Sequence, residues 1–289
     1  MLVAGVDVGS TGTKAALLDE NKKVCALALV DTGANVVRAA ERAFREALAT
    51  AGLEEWDVAF TVGTGYGRYR VPFGDTQITE ISCHAKGACF LFPQTHTILD
   101  MGGQDTKAIR VSETAEVKDF SMNDKCAAGT GRFLTAAAQV LNLSLDDLAV
   151  IASESKKPMK ISNVCTVFVE QEIMMHLAKG CAVEDVLAGV HSAIAGRSMA
   201  LLRRVGLEPE ITFTGGVARN RAMVTALEER LKLKLNVAPE SQHIGAIGAA
   251  LFAWERAAHG EVGKGRGNSD TGASLDSKRD PSSASADSG

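Results

Sequence analysis

The chain has 289 residues, of which 46% are hydrophobic and 23% are charged, and its formal net charge at pH 7 is -4. This size is typical of a globular protein with two domains, and the interspersed Lys, Arg, Asp and Glu argue against a nucleic-acid partner. No apolar run approaches the roughly 20 residues that span a membrane, and there is no secretory signal pattern, so the sequence predicts a cytoplasmic protein without membrane contact.

The predicted elements, in chain order, contain one pattern twice. Three apolar stretches in the first 30 residues predict a strand meander, which is followed by a helix over 36–51 and a strand over 57–63. The next part of the chain repeats this beginning, with an apolar strand, a Gly-rich turn and two further strands. A mostly helical segment over 129–205 follows, then a strand over 210–216 and a final helix over 243–259.

The last part of the chain, residues 260–289, differs in composition from the rest. Gly, Ser, Asp, Lys and Arg dominate it, and larger aliphatic residues are rare. Such a segment cannot offset its ordering entropy by burying apolar surface. The sequence therefore predicts a disordered tail.

Two acidic, Gly-rich loops follow apolar strands. The first loop contains Asp7, Gly9, Ser10, Thr11, Gly12, Thr13 and Lys14, and the second contains Asp100, Gly102, Gly103, Gln104 and Asp105. In such a loop, glycines let the backbone approach a phosphate, hydroxyl groups donate hydrogen bonds, and a carboxylate can hold hydrated Mg²⁺. One copy would also fit an ordinary hairpin turn, but two facing copies favour a clamp around a triphosphate and its metal.

A third element, Gly215 and Gly216 after Thr214, ends a strand and begins a helix, where backbone N–H groups can admit the sugar or base of a nucleotide. Neither a GxxxxGK[ST] loop nor a strand-coupled GxGxxG is present in the sequence, which disfavours the two commoner nucleotide-binding folds. The three elements together predict a nucleotide site of another type.

These loops and the closing helix around Gly245 resemble the motifs of the actin, sugar-kinase and heat-shock-chaperone superfamily. The resemblance implies an α/β actin-like ATPase fold, in which two related domains with ribonuclease-H-like mixed sheets enclose a nucleotide cleft. Residues 1–95 plus 243–259 would form the first domain and 96–242 the second.

In that superfamily Asp7 and Asp100 would position the metal and the attacking water, and we expect Asp100 to orient the water. Gln104 is a further catalytic candidate. The residues expected to bind the nucleotide are Gly9, Ser10, Thr11, Gly12, Thr13, Lys14, Gly102, Gly103, Gly215, Gly216 and Gly245.

The six cysteines include no CxxC pair, so a zinc ribbon or a thioredoxin-like site is disfavoured. Cys126 and Cys165 each precede a predicted helix, whose N-terminus favours a thiolate or an anionic cluster. A Cys₄ site needs four thiols, which a symmetric dimer would supply as two plus two. Any single cysteine can also be a buried structural residue. That class is assigned to Cys25, Cys83, Cys89 and Cys181.

Six segments strongly resemble the activators of 2-hydroxyacyl-CoA dehydratases and the ATPase subunits of ATP-dependent benzoyl-CoA reductases. They are DVGSTGTK, GTGYGR, SCHAKGA, DMGGQD, NDKCAAGTGRF and CTVFVEQE, and the similarity runs from residue 1 to about 258. The resemblance implies a homodimer or pseudo-symmetric heterodimer that holds one [4Fe-4S] cluster between subunits, with Cys126 and Cys165 as its ligands.

The same resemblance implies ATP and Mg²⁺ as cofactors and a ferredoxin or flavodoxin as electron donor. The partner would be a dehydratase or reductase catalytic component, which receives one electron at the expense of ATP. Two alternatives remain open: a sugar or amino-sugar kinase of the same fold, and a non-catalytic, nucleotide-gated assembly protein. Neither alternative needs the two cysteines, and lone histidines such as His84 and His176 are expected to have no role.

Overall fold

The computed structural model describes residues 1–123, 127–162 and 165–263. The predicted cluster ligand Cys126 lies outside these ranges, and so does the predicted tail from residue 264 onward. The described chain forms two mixed five-stranded sheets with helices packed against them.

The first sheet is built by the N-terminal part of the chain. Its elements are β1 (Leu2–Val8), β2 (Gly12–Leu18), β3 (Val24–Asp31), α1 (Val36–Ala51), β4 (Val58–Thr64), β5 (Thr76–Gln77) and the following helix α2 (Glu80–Leu91). The strand order is β3-β2-β1-β4-β5, and β1 pairs antiparallel with β2 and parallel with β4. The central position of β1 explains why its side chains are almost all buried.

The second sheet repeats this plan. Its strands are β6 (Thr97–Met101), β7 (Thr106–Val111), β8 (Val117–Asn123), β9 (Ile211–Thr214) and β10 (Leu235–Asn236). The helices of this part are α3 (Gly131–Leu141), α4 (Leu145–Ser153), α5 (Thr166–Ala178), α6 (Val183–Val205) and α7 (Arg221–Leu231), and the last helix of the described chain is α8 (Ile244–Ala258). The strand order is β10-β9-β6-β7-β8, and β6 again pairs antiparallel with the next strand and parallel with a later one.

The predicted elements are confirmed, and the predicted helix over 36–51 coincides with α1. Local chemistry explains its ends. The side chain of Asn35 accepts a hydrogen bond from the backbone N–H of Arg38, which caps the first turn. Gly52 adopts a left-handed conformation with φ of 66° and ends the helix.

Helix α8 packs on the first sheet, and α2 crosses α8 at very short range. A methyl group at Gly248 of α8 would overlap the backbone carbonyl of Cys83 in α2, and one at Gly87 of α2 would overlap the carbonyl of Ile244. Because only glycine permits such an approach, the two helices form a rigid contact between the first sheet and the segment leading into the second.

Of the four cysteines that were predicted to be buried structural residues, one was predicted wrongly. Cys25 is exposed, because β3 lies at the edge of its sheet and directs alternate side chains to solvent. Cys83 is fully buried in α2, and Cys89 and Cys181 are partly buried.

None of the helices in the described ranges is long and apolar enough to cross a membrane by itself. Helices α3 and α4 meet that length and composition only when taken as one pair, and they are bent by 86° relative to each other.

Candidate functional site: two facing aspartate loops

Asp7 and Lys14 lie opposite each other in the first hairpin. The pairing of β1 with β2 places the two residues in register, and Lys14 Nζ is 3.5 Å from Asp7 Oδ2. Gly9 to Gly12 form the connecting loop and are partly or fully accessible. Thr13 is fully buried, and its hydroxyl bonds that of Thr32 at 2.9 Å, so Thr13 supports the loop from behind.

The second hairpin repeats the first with a different environment for its lysine. Asp100 and Lys107 are in register, and Lys107 Nζ is again 3.5 Å from the aspartate. Lys107 also pairs with Asp105 at 2.7 Å and with Glu80 of α2 at 3.3 Å. The buried Lys107 is therefore held by three carboxylates, whereas Lys14 is half-buried beside one.

A Thr-Gly pair on the neighbouring parallel strand completes each copy. Thr64 is in register with Asp7, and Thr214 with Asp100. The glycines that follow, Gly65 and Gly215, have φ values of 88° and 89°. A methyl group at either one would collide with the neighbouring aspartate carboxylate. Only the pair Thr214-Gly215 was predicted as part of the site, although the same dipeptide occurs at Thr64-Gly65.

The two loops contact each other directly. A methyl group at Gly103 of the second loop would overlap the Thr11 hydroxyl of the first. The start of α3 supports the second loop, because the backbone N–H groups of Gly131 and Arg132 donate to the carbonyls of Gly102 and Gly103, each at 2.9 Å. The structure therefore brings the predicted loops face to face, with Gln104 exposed beside them.

The carboxylate of Asp100 is buried but strongly stabilised in its ionised form. Burial alone would raise the pKa of Asp100, but the charges of His84 and Lys107, together with a hydrogen bond from Thr214, lower it below its ordinary value of 3.8. Burial would likewise lower the pKa of Lys107, but the surrounding carboxylates raise it instead. Both groups are therefore charged at neutral pH.

The segment before α8 lines the side of the site near the Thr-Gly-Gly turn. The backbone N–H of Gly215 donates to the carbonyl of Ser241 at 2.9 Å, and Gly216 is exposed beside Gln242. Burial and the nearby charge of Lys14 lower the pKa of His243. Gly245, at the start of α8, lies against Asp7. Residues 241–243 were not predicted as site residues, because no motif distinguishes them from an ordinary loop.

The remaining predicted ligand in the described ranges, Cys165, is exposed at the start of α5. It occupies the N-cap position, and its side chain makes no capping hydrogen bond. Phe168, Met174 and Met175 on the same helix are also exposed. The N-terminus of a helix favours a thiolate at this position. Within the described residues, no three His, Cys, Asp or Glu side chains form a metal-binding group.

The duplicated sheets and the facing aspartate loops define an ATPase with an actin-like fold. The sequence profile of the BadF/BadG/BcrA/BcrD ATPase family matches residues 4–253, and the chain belongs to this family. It is 45% identical to the activator of lactoyl-CoA dehydratase from Anaerotignum propionicum over 257 residues, which cover 89% of this chain and 99% of that protein.

Two solved structures are similar over most of their length. The (R)-2-hydroxyglutaryl-CoA dehydratase component A of Acidaminococcus fermentans has a TM-score of 0.86 and 43% identity, with 89% of this chain and 99% of that chain covered. The activator of 2-hydroxyisocaproyl-CoA dehydratase from Clostridium difficile, with bound ADPNP, has a TM-score of 0.87 and 36% identity, with 94% and 100% covered. The predicted fold and family are thereby confirmed.

Proposed function

We propose that this chain hydrolyses ATP to drive one electron into a 2-hydroxyacyl-CoA dehydratase. ATP binding is supported by the pair of facing hairpins, in which Asp7 and Asp100 occupy equivalent positions. The redox part rests on Cys165, an exposed thiol at a helix start. The relatives named as dehydratase activators support the choice of partner.

The residues of the two loops divide the work of phosphoryl transfer. Lys14, which has one carboxylate neighbour at 3.5 Å, is available to neutralise phosphate charge. Backbone N–H groups of the glycine loops bind the phosphates. Asp7 provides oxygen ligands suited to hydrated Mg²⁺, which neutralises charge on the phosphates when bound. Asp100, fixed by Thr214 and Lys107, orients the attacking water.

Cys126 and Cys165 from each of two copies would hold a single [4Fe-4S] cluster, which supplies a one-electron redox centre when bound. In this proposal the exposed apolar residues Phe168 and Met174 on α5 pack against the second copy. A ferredoxin or flavodoxin is the electron donor. We also propose two domains, formed by residues 1–95 plus 243–259 and by residues 96–242. Helix α8 belongs to the first domain because it packs on the first sheet.

The test begins with anaerobic purification and measurement of iron, acid-labile sulfide and oligomeric state. The wild-type protein is expected to contain about four irons per dimer. Cys165→Ser and Cys126→Ser should each lose the iron and the visible absorption while retaining ATPase activity. Cys25→Ser is the matched control, since Cys25 is also exposed but lies on β3 of the other sheet. A colourless dimer with sugar-dependent ADP release would instead identify a kinase.

The partner is tested with the reduced, iron-loaded protein. It is mixed with ATP and either a 2-hydroxyacyl-CoA dehydratase or a benzoyl-CoA reductase catalytic component, and reduction of the component is followed spectroscopically. We expect ATP-dependent reduction of the dehydratase. Reduction of the reductase alone would reassign the partner, and reduction of neither would contradict electron transfer.

A further inference from the structure

His84 lies between the two aspartate loops, although the sequence analysis assigned it no role. It is 6% exposed and projects from α2 toward the second sheet. His84 Nδ1 is 3.2 Å from the Thr214 hydroxyl and 3.4 Å from Asp100 Oδ1. One imidazole nitrogen therefore faces the carboxylate that the proposed function places beside the attacking water.

The hydrogen bonds of Thr214 show which ring nitrogen of His84 carries a proton. The Thr214 hydroxyl donates its only proton to Asp100 Oδ1 at 2.9 Å, so toward His84 it can only accept. Nδ1 must then carry a proton and donate it to the Thr214 hydroxyl, while Asp100 Oδ1 lies at ion-pair distance from the same nitrogen.

The other ring nitrogen faces the first loop. A Cβ built at Gly245 would lie 2.9 Å from His84 Nε2 and 3.1 Å from Asp7 Oδ2, so both atoms border the same small space. The imidazole thus spans from the Asp100 side to the Asp7 side. Its backbone is held by the close contact of α2 with α8, which limits how far the ring can shift.

We propose that His84 is a positioning residue for ATP hydrolysis. Its Nδ1–H holds the Thr214 hydroxyl, which donates to Asp100, and its ring links the two aspartate loops. This inference rests on the proposed nucleotide site. Its physical basis is that a carboxylate orients water effectively only when its own rotamer is held by hydrogen bonds. Removing the Nδ1 donor should therefore slow turnover more than it weakens nucleotide binding.

The experiment compares two amide substitutions in the full-length protein. The amide nitrogen of Asn can occupy the place of Nδ1, whereas the Gln amide occupies the place of Nε2. We expect His84→Gln to lower kcat by about 10-fold or more with KM for ATP changed less than about 3-fold. His84→Asn should restore kcat to within about 3-fold of the wild type. Lys86→Gln, on the same helix and paired with Glu255 of α8, is the control for a general disturbance of α2.

The outcome with Asp100→Asn tests the proposed nucleotide site, and the outcomes with the His84 variants test the role of His84. If Asp100→Asn retains wild-type kcat, the proposed site fails. Suppose instead that Asp100→Asn is inactive. If His84→Gln then matches the wild type, or if His84→Asn is as slow as His84→Gln, positioning through Nδ1 is refuted. If His84→Asn and His84→Gln lose the same amount of kcat and also melt at equally lowered temperatures, His84 is a structural residue only.

Discussion

The carboxylate of Asp100 is held by more groups than that of Asp7. Thr214 donates to one oxygen and Lys107 lies beside the other, while the ion-pair partner of Asp7 is Lys14 at 3.5 Å. This difference breaks the symmetry of the duplicated hairpins. A rigidly held carboxylate suits the orientation of water, and a less crowded one suits a hydrated cation.

We therefore expect Asp100→Asn to lower the ATPase kcat by about 100-fold or more, because an amide does not reproduce the charge and acceptor pattern of the carboxylate. Lys107 would keep its pairs with Asp105 and Glu80, so the protein should still fold. Steady-state ADP release and a melting curve check both points. Asp119→Asn, on the exposed part of β8, serves as the control. An Asp100→Asn variant within 3-fold of the wild type would contradict the assignment.

At the level of elements, the crossing of α2 and α8 depends on two glycines. Gly87 and Gly248 bring the helix backbones together where a β-carbon would overlap a carbonyl oxygen. This contact joins the first sheet to the helix that carries Glu80 and His84. Any shift in it would move both side chains relative to the second sheet.

Gly248→Ala is expected to reduce the free energy of unfolding by about 2–3 kcal/mol, because the added methyl group has backbone on its far side and cannot be accommodated by a rotamer change. Urea denaturation measures this change.

Gly196→Ala in the middle of α6 is the matched control. The nearest atoms to a methyl group there belong to Arg230 and lie 3.5 Å away, an ordinary contact distance. That substitution should stabilise the helix by about 0.5–1 kcal/mol. Equal effects of the two substitutions would show that the crossing is not tightly packed.

At the scale of the whole molecule, two histidines make stability depend on pH. Burial lowers the pKa of His191 in α6 and of His243 below the ordinary value of 6.5. The unfolded chain therefore binds protons near pH 6.5 that the folded chain does not. The free energy of unfolding contributed by these groups is fully present above about pH 6.5 and decreases as the pH falls below it, toward the folded-state pKa.

His191→Asn should make the free energy of unfolding less dependent on pH between 7.5 and 5.5, with a difference of up to about 1 kcal/mol. Asn retains a donor for the Leu187 carbonyl, which His191 Nδ1 contacts at 2.8 Å. Urea denaturation at both pH values measures the effect, and the exposed His259→Asn is the control. A steeper pH dependence in His191→Asn would reverse the assigned sign.

The sequence alone determined the elements, the two acidic loops and the family, because hydrophobic period and turn chemistry are local properties. Helix α1 and the final helix were predicted almost to the residue for this reason. The position of Cys165 at a helix start was predicted in the same way.

Tertiary structure decided what depends on strand order and helix crossing. The register of β1 with β4 places Thr64 and Gly65 beside Asp7, as Thr214 and Gly215 lie beside Asp100, and the edge position of β3 exposes Cys25. The approach of α2 to both sheets places His84 beside Asp100, 16 positions away in the chain, and beside Thr214, which is 130 positions away. Contacts between distant segments leave no local periodicity, so they become visible only when the chain is packed.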